Sequence, residues 1–400
     1  MTNATEEATS PQSKPKNRFK SKPRRRPEGK PQTADGVLEL ADNGNGYLRS
    51  LERNFASQPG DAFVPSNIIQ RLGLRPGVEI TGQAAPSRRG RSNVVRDILT
   101  INGRTPEEWR RVPPFEDLVV IDPREAIHFE QPGGPAEMRV VDLMTPIGKG
   151  QRGLIVAPPR SGKTVLLKQL AAGVAANHPE IMLIVLLVDE RPEEVTDMKR
   201  NVNGHVFHSS NDSKAENHAR IARIVSSYAR RHTECGKDVF ILLDSLTRLG
   251  RTFNTLTGGS KRTMTGGLDI RALEEPKRIF GSARNIEHGG SLTIIATALI
   301  DTGSRMDDFI FQEFKGTGNM EIVLDREMAE RRMYPTIDLR LSGTRKEELL
   351  LGRDATDKIA KVRRQLLDLR SSNTSIMETL LRGLKNASSN QKFLELIPAG

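Results

Sequence analysis

Eight residues, Ala157-Pro158-Pro159-Arg160-Ser161-Gly162-Lys163-Thr164, place a glycine, a lysine and a hydroxyl in an order suited to phosphate chemistry. The run Arg152–Ala157 before them reads as a buried strand, and the stretch after them reads as a helix stopped by Pro179. In that setting backbone N–H groups and the helix N-terminus cradle phosphate oxygens. Lys163 reaches the β and γ oxygens, and the Thr164 hydroxyl binds Mg²⁺. A bare Gly-Lys-Thr is common by chance, and Ala157 stands where such loops usually begin with glycine. The flanking strand and helix therefore carry the assignment.

Two acids end later apolar runs. Asp244 closes Asp238–Asp244 and is placed to hold the Mg²⁺ shell. Glu190 ends Ile181–Glu190, where it would face the γ-phosphate and activate water if its strand neighbours the phosphate-loop strand. Either acid alone is as easily a solvated strand end or a helix cap; two on successive strands favour catalysis. Phosphoryl transfer also needs positive charge at the reacting oxygens. Arg191, Arg248 and Arg345 are candidates, although most arginines are surface solubilisers and periodicity does not select these three.

These residues need a scaffold. From Val140 onward, apolar runs alternate with helical stretches, which predicts a parallel, doubly wound α/β sheet. Residues 37–103 instead show short alternating runs broken by Gly, Asn, Asp and Pro, as in a small closed β-barrel of the OB type. Residues 104–139 form a connector holding the single tryptophan, Trp109; 140–345 form the ATPase unit, and 346–400 are amphipathic and helical. Within the barrel, Gly44–Ser50 is either an ordinary hairpin or a surface where Tyr47 stacks a base with Arg49 nearby.

The net charge of +11 points to a polyanionic partner. Much of it lies in Lys14–Lys30, where basic residues and proline surround one acid, Glu28. Residues 1–36 are thus expected to be a disordered tail that solubilises the chain or grips phosphates non-specifically. No apolar run matches a membrane-spanning length and no signal segment opens the chain, so a cytoplasmic location is expected. One cysteine, Cys235, excludes a disulfide framework. Two polar loops, Asn254–Gly267 with Lys261 and Arg262, and Asp301–Arg305, are either flexible connections or grips on a nucleic-acid backbone.

Taken together, Val141–Thr164, Leu186–Met198, Ile241–Arg251, Gly289–Ser304, Glu313–Ile322 and Ser342–Leu350 resemble the bacterial transcription termination factor Rho family from about Val37 to Leu350. That resemblance implies a homohexameric, RNA-dependent ATPase with an OB-fold (cold-shock-like) domain and a RecA-like P-loop motor. Such a protein translocates along nascent single-stranded RNA and releases transcripts from RNA polymerase, using ATP and Mg²⁺. It assigns Gly148, Lys149, Gly150, Gln151, Arg152 and Gly153 to the nucleotide site, with Arg160, Ser161, Gly162, Lys163, Thr164 and Val165. It makes Lys163, Glu190 and Asp244 catalytic, Arg345 a finger acting on a neighbouring subunit, and Arg191, Arg248 and Arg332 interface residues. Tyr334 would stack on adenine. Tyr47, Arg49, Asp61, Phe63, Lys261, Arg262 and Arg305 would contact RNA. Arg160 and Arg305 replace lysines, and Asn45 and Asn93 replace aromatics. A rotary ATP synthase-type subunit shares Pro146–Gly153 but should lack the barrel and basic tail. A nucleic-acid-binding protein with a degenerate ATPase would not need Lys163, Thr164, Glu190, Asp244 and Arg345 together.

Overall fold

The computed structural model describes residues 32–87, 93–257, 267–368 and 372–398. Five strands, β1 (Gln32–Leu40), β2 (Gly46–Arg49), β3 (Phe63–Val64), β4 (Glu79–Pro86) and β5 (Asn93–Ile101), form a barrel closed in the order β1-β2-β3-β5-β4. Closure leaves no long unpaired edge. Leu38, Leu48, Val64, Ile80, Val95 and Ile98 fill the interior with Ile68 and Ile69 of helix α1 (Ser66–Leu72). The first strand starts at Gln32 rather than Val37. Gln32 to Gly36 are polar or small, yet they pair with Ala84 to Ile80 of β4. Gly36 lies so close to β2 that a Cβ there would come within 2.9 Å of the Arg49 carbonyl oxygen. Trp109 of the connector closes the barrel core and donates its indole N–H to the Gly73 carbonyl at 3.3 Å.

The second unit alternates as its apolar runs predict: helix α2 (Ala136–Met144), β6 (Arg152–Ala157), α3 (Lys163–Asn177), β7 (Met182–Glu190), α4 (Pro192–Asn201), β8 (His205–Ser210), α5 (Ala215–Glu234), β9 (Val239–Asp244), α6 (Leu246–Thr257), β10 (Ser291–Leu299), α7 (Arg305–Lys315), β11 (Met320–Val323) and β12 (Gly343–Thr344). The strand order is β8-β7-β9-β10-β6-β11-β12, parallel except for the β11/β12 pair. Alternate residues of each strand feed opposite cores. Ile155, Val185 and Leu242 join Leu166 and Leu170 on one face, while Val156, Ile184 and Leu243 join Ala222 and Leu249 on the other. Burial on both faces explains why these strands read as continuous apolar runs.

Helices α8 (Arg353–Asp368), α9 (Asn373–Lys385) and α10 (Asn390–Glu395) belong to this unit as well. Ile359, Ile376, Leu380 and Phe393 pack into the core beside α3. Arg363 fastens α8 by donating to the carbonyls of Met144, Leu339 and Ser342 at 2.7–2.9 Å. The barrel is joined to the α/β unit along α5 and the edge strand β8. Phe55 stacks on Phe207 at 4.6 Å, and Asn54 exchanges two hydrogen bonds with the His208 backbone, covering part of that edge. No helix among the described residues is long and apolar enough to cross a membrane.

Candidate nucleotide site and RNA surface

The turn from β6 into α3 places Gly162 at φ 90°, a left-handed conformation that suits glycine. Ser161 is buried, with its hydroxyl donating to the Pro158 carbonyl at 2.8 Å and its own carbonyl accepting from Thr336 at 2.6 Å. The loop is thus held from inside, leaving the first turn of α3 open; Arg160 and Val165 are exposed beside it, and Thr164 is half-buried. Lys163 bridges both Asp244 oxygens, at 2.6 Å to Oδ1, and its ammonium lies 3.9 Å from Glu190 Oε2. Thr297, on β10 between the β6 and β9 strands, donates to Asp244 Oδ1 at 2.7 Å. Thr297 was not singled out in the sequence. Its strand carries two other hydroxyls, Ser291 and Thr293, so residue type alone does not single it out.

Glu190 reaches this cluster by a route that differs from the sequence expectation. Its strand β7 does not neighbour β6; β9 and β10 lie between them. Three strand spacings are about 14 Å, too far for adjacent strand ends. However, Leu187 is the residue paired with Asp244, so β7 runs on past β9, and a register shift follows between Val188 and Glu190. Asp189, at φ 55°, breaks the extended run, and because Lys163 reaches over to Asp244 on β9, the neighbour of β7, Glu190 meets its ammonium there. The result is a carboxyl only 1% exposed whose Oε2 has no hydrogen-bond partner among the described residues. Burial and the nearby Asp244 carboxylate raise its pKa above the ordinary glutamate value, with Lys163 and Arg248 pulling the other way. Arg248 donates to Glu190 Oε1 at 3.2 Å and to the Asp189 carbonyl, fixing the turn. Arg191 is exposed on the same rim.

Across the phosphate loop, a Cβ on Gly162 would touch the Tyr334 ring at 3.6 Å, and Tyr334 is 40% exposed. An exposed aromatic beside the loop suits a stacked base. Arg332, also exposed, adopts φ 59° nearby in sequence.

The barrel presents a different arrangement. Tyr47 and Phe63 face each other edge-on across the β2/β3 pair, ring centroids 5.7 Å apart. Arg49 sits 5.0 Å from the Tyr47 ring centre, but its charge is already used: Nε bonds Glu39 at 2.5 Å, and Nη1 bonds Asp61 and Ser57. Arg49 is 9% exposed. Glu39 in turn accepts from Arg220 of α5 at 2.5 and 2.8 Å. Arg49 and Asp61, both expected to contact RNA, bond each other beside the Tyr47 ring. Asn45 Oδ1 accepts from the Ser66 N–H at the start of α1 at 2.9 Å, and Asn93 donates to Gln32. Both asparagines thus hold the barrel where an aromatic would offer a face.

Residues 34–107 match the Rho termination factor, RNA-binding domain, and residues 137–344 match the ATP synthase alpha/beta family, nucleotide-binding domain. The transcription termination factor Rho of Cereibacter sphaeroides is 50% identical over 365 residues, covering 90% of this chain and 86% of that protein. Its counterpart in Streptomyces coelicolor is 48% identical over 371 residues, covering 92% and 87%. The chain belongs to the Rho family. Among solved structures, a prototypical ATPase from a type III secretion system shares the fold at a TM-score of 0.57 and 21% identity, covering 71% of this chain and 87% of that one. The ATPase EscN, in complex with its central stalk EscO from enteropathogenic E. coli, aligns at 0.54 and 23%, covering 66% and 61%. The chain thus carries an RNA-binding domain ahead of a nucleotide-binding ATPase domain.

Other residues that the Rho resemblance assigns to the nucleotide site are not brought to it within this chain. Gly148 to Gly153 lie at the start of β6, and the six residues of that strand carry the chain about 20 Å to the phosphate loop. There Lys149 pairs with Glu125 and with Asp238, which precedes β9, at 2.5 and 2.9 Å. Gln151 is buried and donates to Asn319 at 2.7 Å, and Arg152 donates to the carbonyls of Thr317 and Ala283. Gly150 is packed against Asn285, where a Cβ would meet its nitrogen at 2.3 Å. This segment is structural in its own subunit. Arg345 is at the same end: its N–H donates to Asn319, which binds Arg152. Its side chain is exposed and has no ion-pair partner among the described residues. Arg305, exposed, opens α7 next to a loop fixed by Asp307, which binds Arg251 at 2.7 and 2.6 Å and Thr302 at 2.6 Å. Lys261 and Arg262 lie outside the described residues.

Proposed function

We propose that this chain is an ATP-driven RNA motor that works as a homohexameric ring in the cytoplasm and releases nascent transcripts from RNA polymerase. The single observation that carries the reading is the separation of Arg345 from Lys163, Asp244 and Glu190 by the length of β6. A finger that cannot reach its own subunit's phosphate loop is placed to complete a neighbour's, as a ring requires.

Mg²⁺ fits the donor set: a threonine hydroxyl, a buried aspartate, and an orphaned glutamate oxygen within one cluster. Thr164 and Asp244 would hold it, and it would neutralise charge on the phosphate oxygens. With nucleotide bound, Lys163 leaves Asp244 for the β and γ oxygens. Glu190 accepts a proton from the water that attacks the γ phosphorus; the bond to the bridging oxygen breaks, giving ADP and phosphate. Arg248 keeps the Glu190 carboxylate aimed, Tyr334 stacks the base, and Arg345 of a neighbouring subunit stabilises charge on the transferring group. Tyr47 and Phe63 capture bases on the barrel, and Arg305 lies on a braced loop suited to gripping backbone phosphates.

ATP turnover measured with and without pyrimidine-rich single-stranded RNA tests the proposal. Strong stimulation that fades with salt is expected; equal turnover in both conditions would overturn it. A rotary ATP synthase-type role accounts for the fold but leaves the barrel and its paired aromatics unexplained.

A further inference from the structure

A cavity of about 530 Å³ opens where the barrel, the connector and α5 meet, away from both sites described above. Five arginines, Arg75, Arg223, Arg230, Arg231 and Arg278, line it against two glutamates, Glu116 and Glu275. Glu234 adds one more negative charge, 2.9 Å from Arg75 and 2.8 Å from Arg231. Positive charge therefore still exceeds negative charge around the cavity.

The inner arginines are not fully paired. Arg230 and Arg231 are 7% and 5% exposed, and the Nε groups of Arg75, Arg230 and Arg231 are buried donors with no hydrogen-bond partner among the described residues. Arg230 meets Glu116 only at 3.7 Å, and burial together with Arg278 lowers its pKa to about 10. A buried donor without a partner is costly, and these three leave the arginine cluster short of acceptors. The Nε atoms themselves are sealed from solvent, so an anion in the cavity would meet the guanidinium groups that open onto it, the exposed Arg223 and Arg278 first. The walls also hold the forks in place: Arg75 lies over the Trp109 ring at 4.3 Å, Arg223 over Phe253 at 5.0 Å, and Arg230 over Phe115 at 6.0 Å. Planar guanidinium groups held this way suit tetrahedral oxyanions with several acceptor oxygens.

We propose that this cavity binds a small polyphosphate anion, a diphosphate or triphosphate group free or on a metabolite, which bridges barrel and motor. The volume lies in the range of small-molecule sites and exceeds the need of a single phosphate. Because the anion would touch Arg75 on the barrel side and Arg230 and Arg231 on α5, binding would stabilise the junction between the two units. The inference does not depend on the motor reading.

Titration of the full chain with inorganic pyrophosphate and tripolyphosphate, read by thermal unfolding and ³¹P NMR, tests it. The expected result is a Tm that rises with ligand concentration and persists in Lys163→Ala, which lacks the phosphate-loop cation. The rim residues Arg223 and Arg278, whose side chains are 54% and 58% exposed, can be changed without opening the core. R223Q/R278Q should weaken pyrophosphate binding about tenfold or more, with each ligand-induced shift read against that variant's own unliganded Tm because Glu275 loses both partners. Absence of a shift in the wild-type chain, or a shift abolished by Lys163→Ala and untouched by R223Q/R278Q, would overturn the proposal. So would protection of the cavity arginines by RNA but not by pyrophosphate, which would make it a nucleic-acid contact.

Discussion

The phosphate-loop cluster and the barrel platform are both built around buried ion pairs, and they use those charges in opposite ways. At the phosphate loop, Lys163 and Asp244 hold each other while Glu190 keeps one oxygen unpartnered. On the barrel, Arg49, Glu39, Asp61 and Arg220 satisfy one another, leaving the Tyr47 and Phe63 rings as the proposed recognition surface. Exchangeable charge suits a ligand that arrives and leaves as part of a reaction. Internally satisfied charge suits a rigid rest for a stacked base, whose binding depends on shape and π-face.

The sharpest ways to break this comparison lie at the phosphate loop. Arg345→Ala should lower turnover by about 10³-fold or more with nucleotide binding retained, measured by steady-state hydrolysis beside a fluorescent-nucleotide titration. Mixing that variant with Lys163→Ala should restore part of the activity, since each supplies what the other lacks; a mixture as inactive as its components would place the finger elsewhere. Glu190→Gln should cut turnover by about 10²–10⁴-fold. Glu190 acts as a base only when deprotonated and its pKa is raised, so turnover should climb with pH on a limb above the ordinary glutamate range, and the glutamine variant should lose that limb.

Smaller effects sharpen the barrel side. Tyr47→Ala should weaken single-stranded RNA binding by about 1–3 kcal/mol per lost stack, at every salt concentration tested. Arg49→Ala should act mainly on folding: it removes the partner of two carboxylates that are largely shielded from water, so denaturant unfolding should show a clear loss of stability. A steeper change in the salt slope than in stability would instead make Arg49 a direct phosphate contact. Deleting residues 1–31, which spares β1, should produce the mildest effect, a shallower salt dependence of RNA binding. Unchanged RNA binding would leave the tail only a solubilising role.

Much of this was legible in the residue order because it depends on local chemistry. The phosphate loop was recognisable between Ala157 and Thr164, where a buried strand runs directly into a helix. The two candidate acids, Glu190 and Asp244, were recognisable because each ends a long apolar run. Barrel and sheet were separable because the hydrophobic pattern changes from short alternation to continuous runs. The start of β1 was less visible, since Gln32 to Gly36 carry no strand signal and gain their pairing only from β4.

By itself, the sequence determined which residues could bind phosphate, activate water and stack a base, because those abilities belong to side-chain types and their immediate neighbours. Only the tertiary structure decided where they meet. It brought Lys163 to Asp244 on β9, where Glu190 of the neighbouring β7 meets it beyond a register shift and a left-handed residue. It placed Arg345 and Gly148–Gly153 at the far end of β6, and it tied Arg49 and Asn45 into hydrogen bonds with their own chain. Strand order, register and burial are set by packing between distant segments, and no local pattern encodes them.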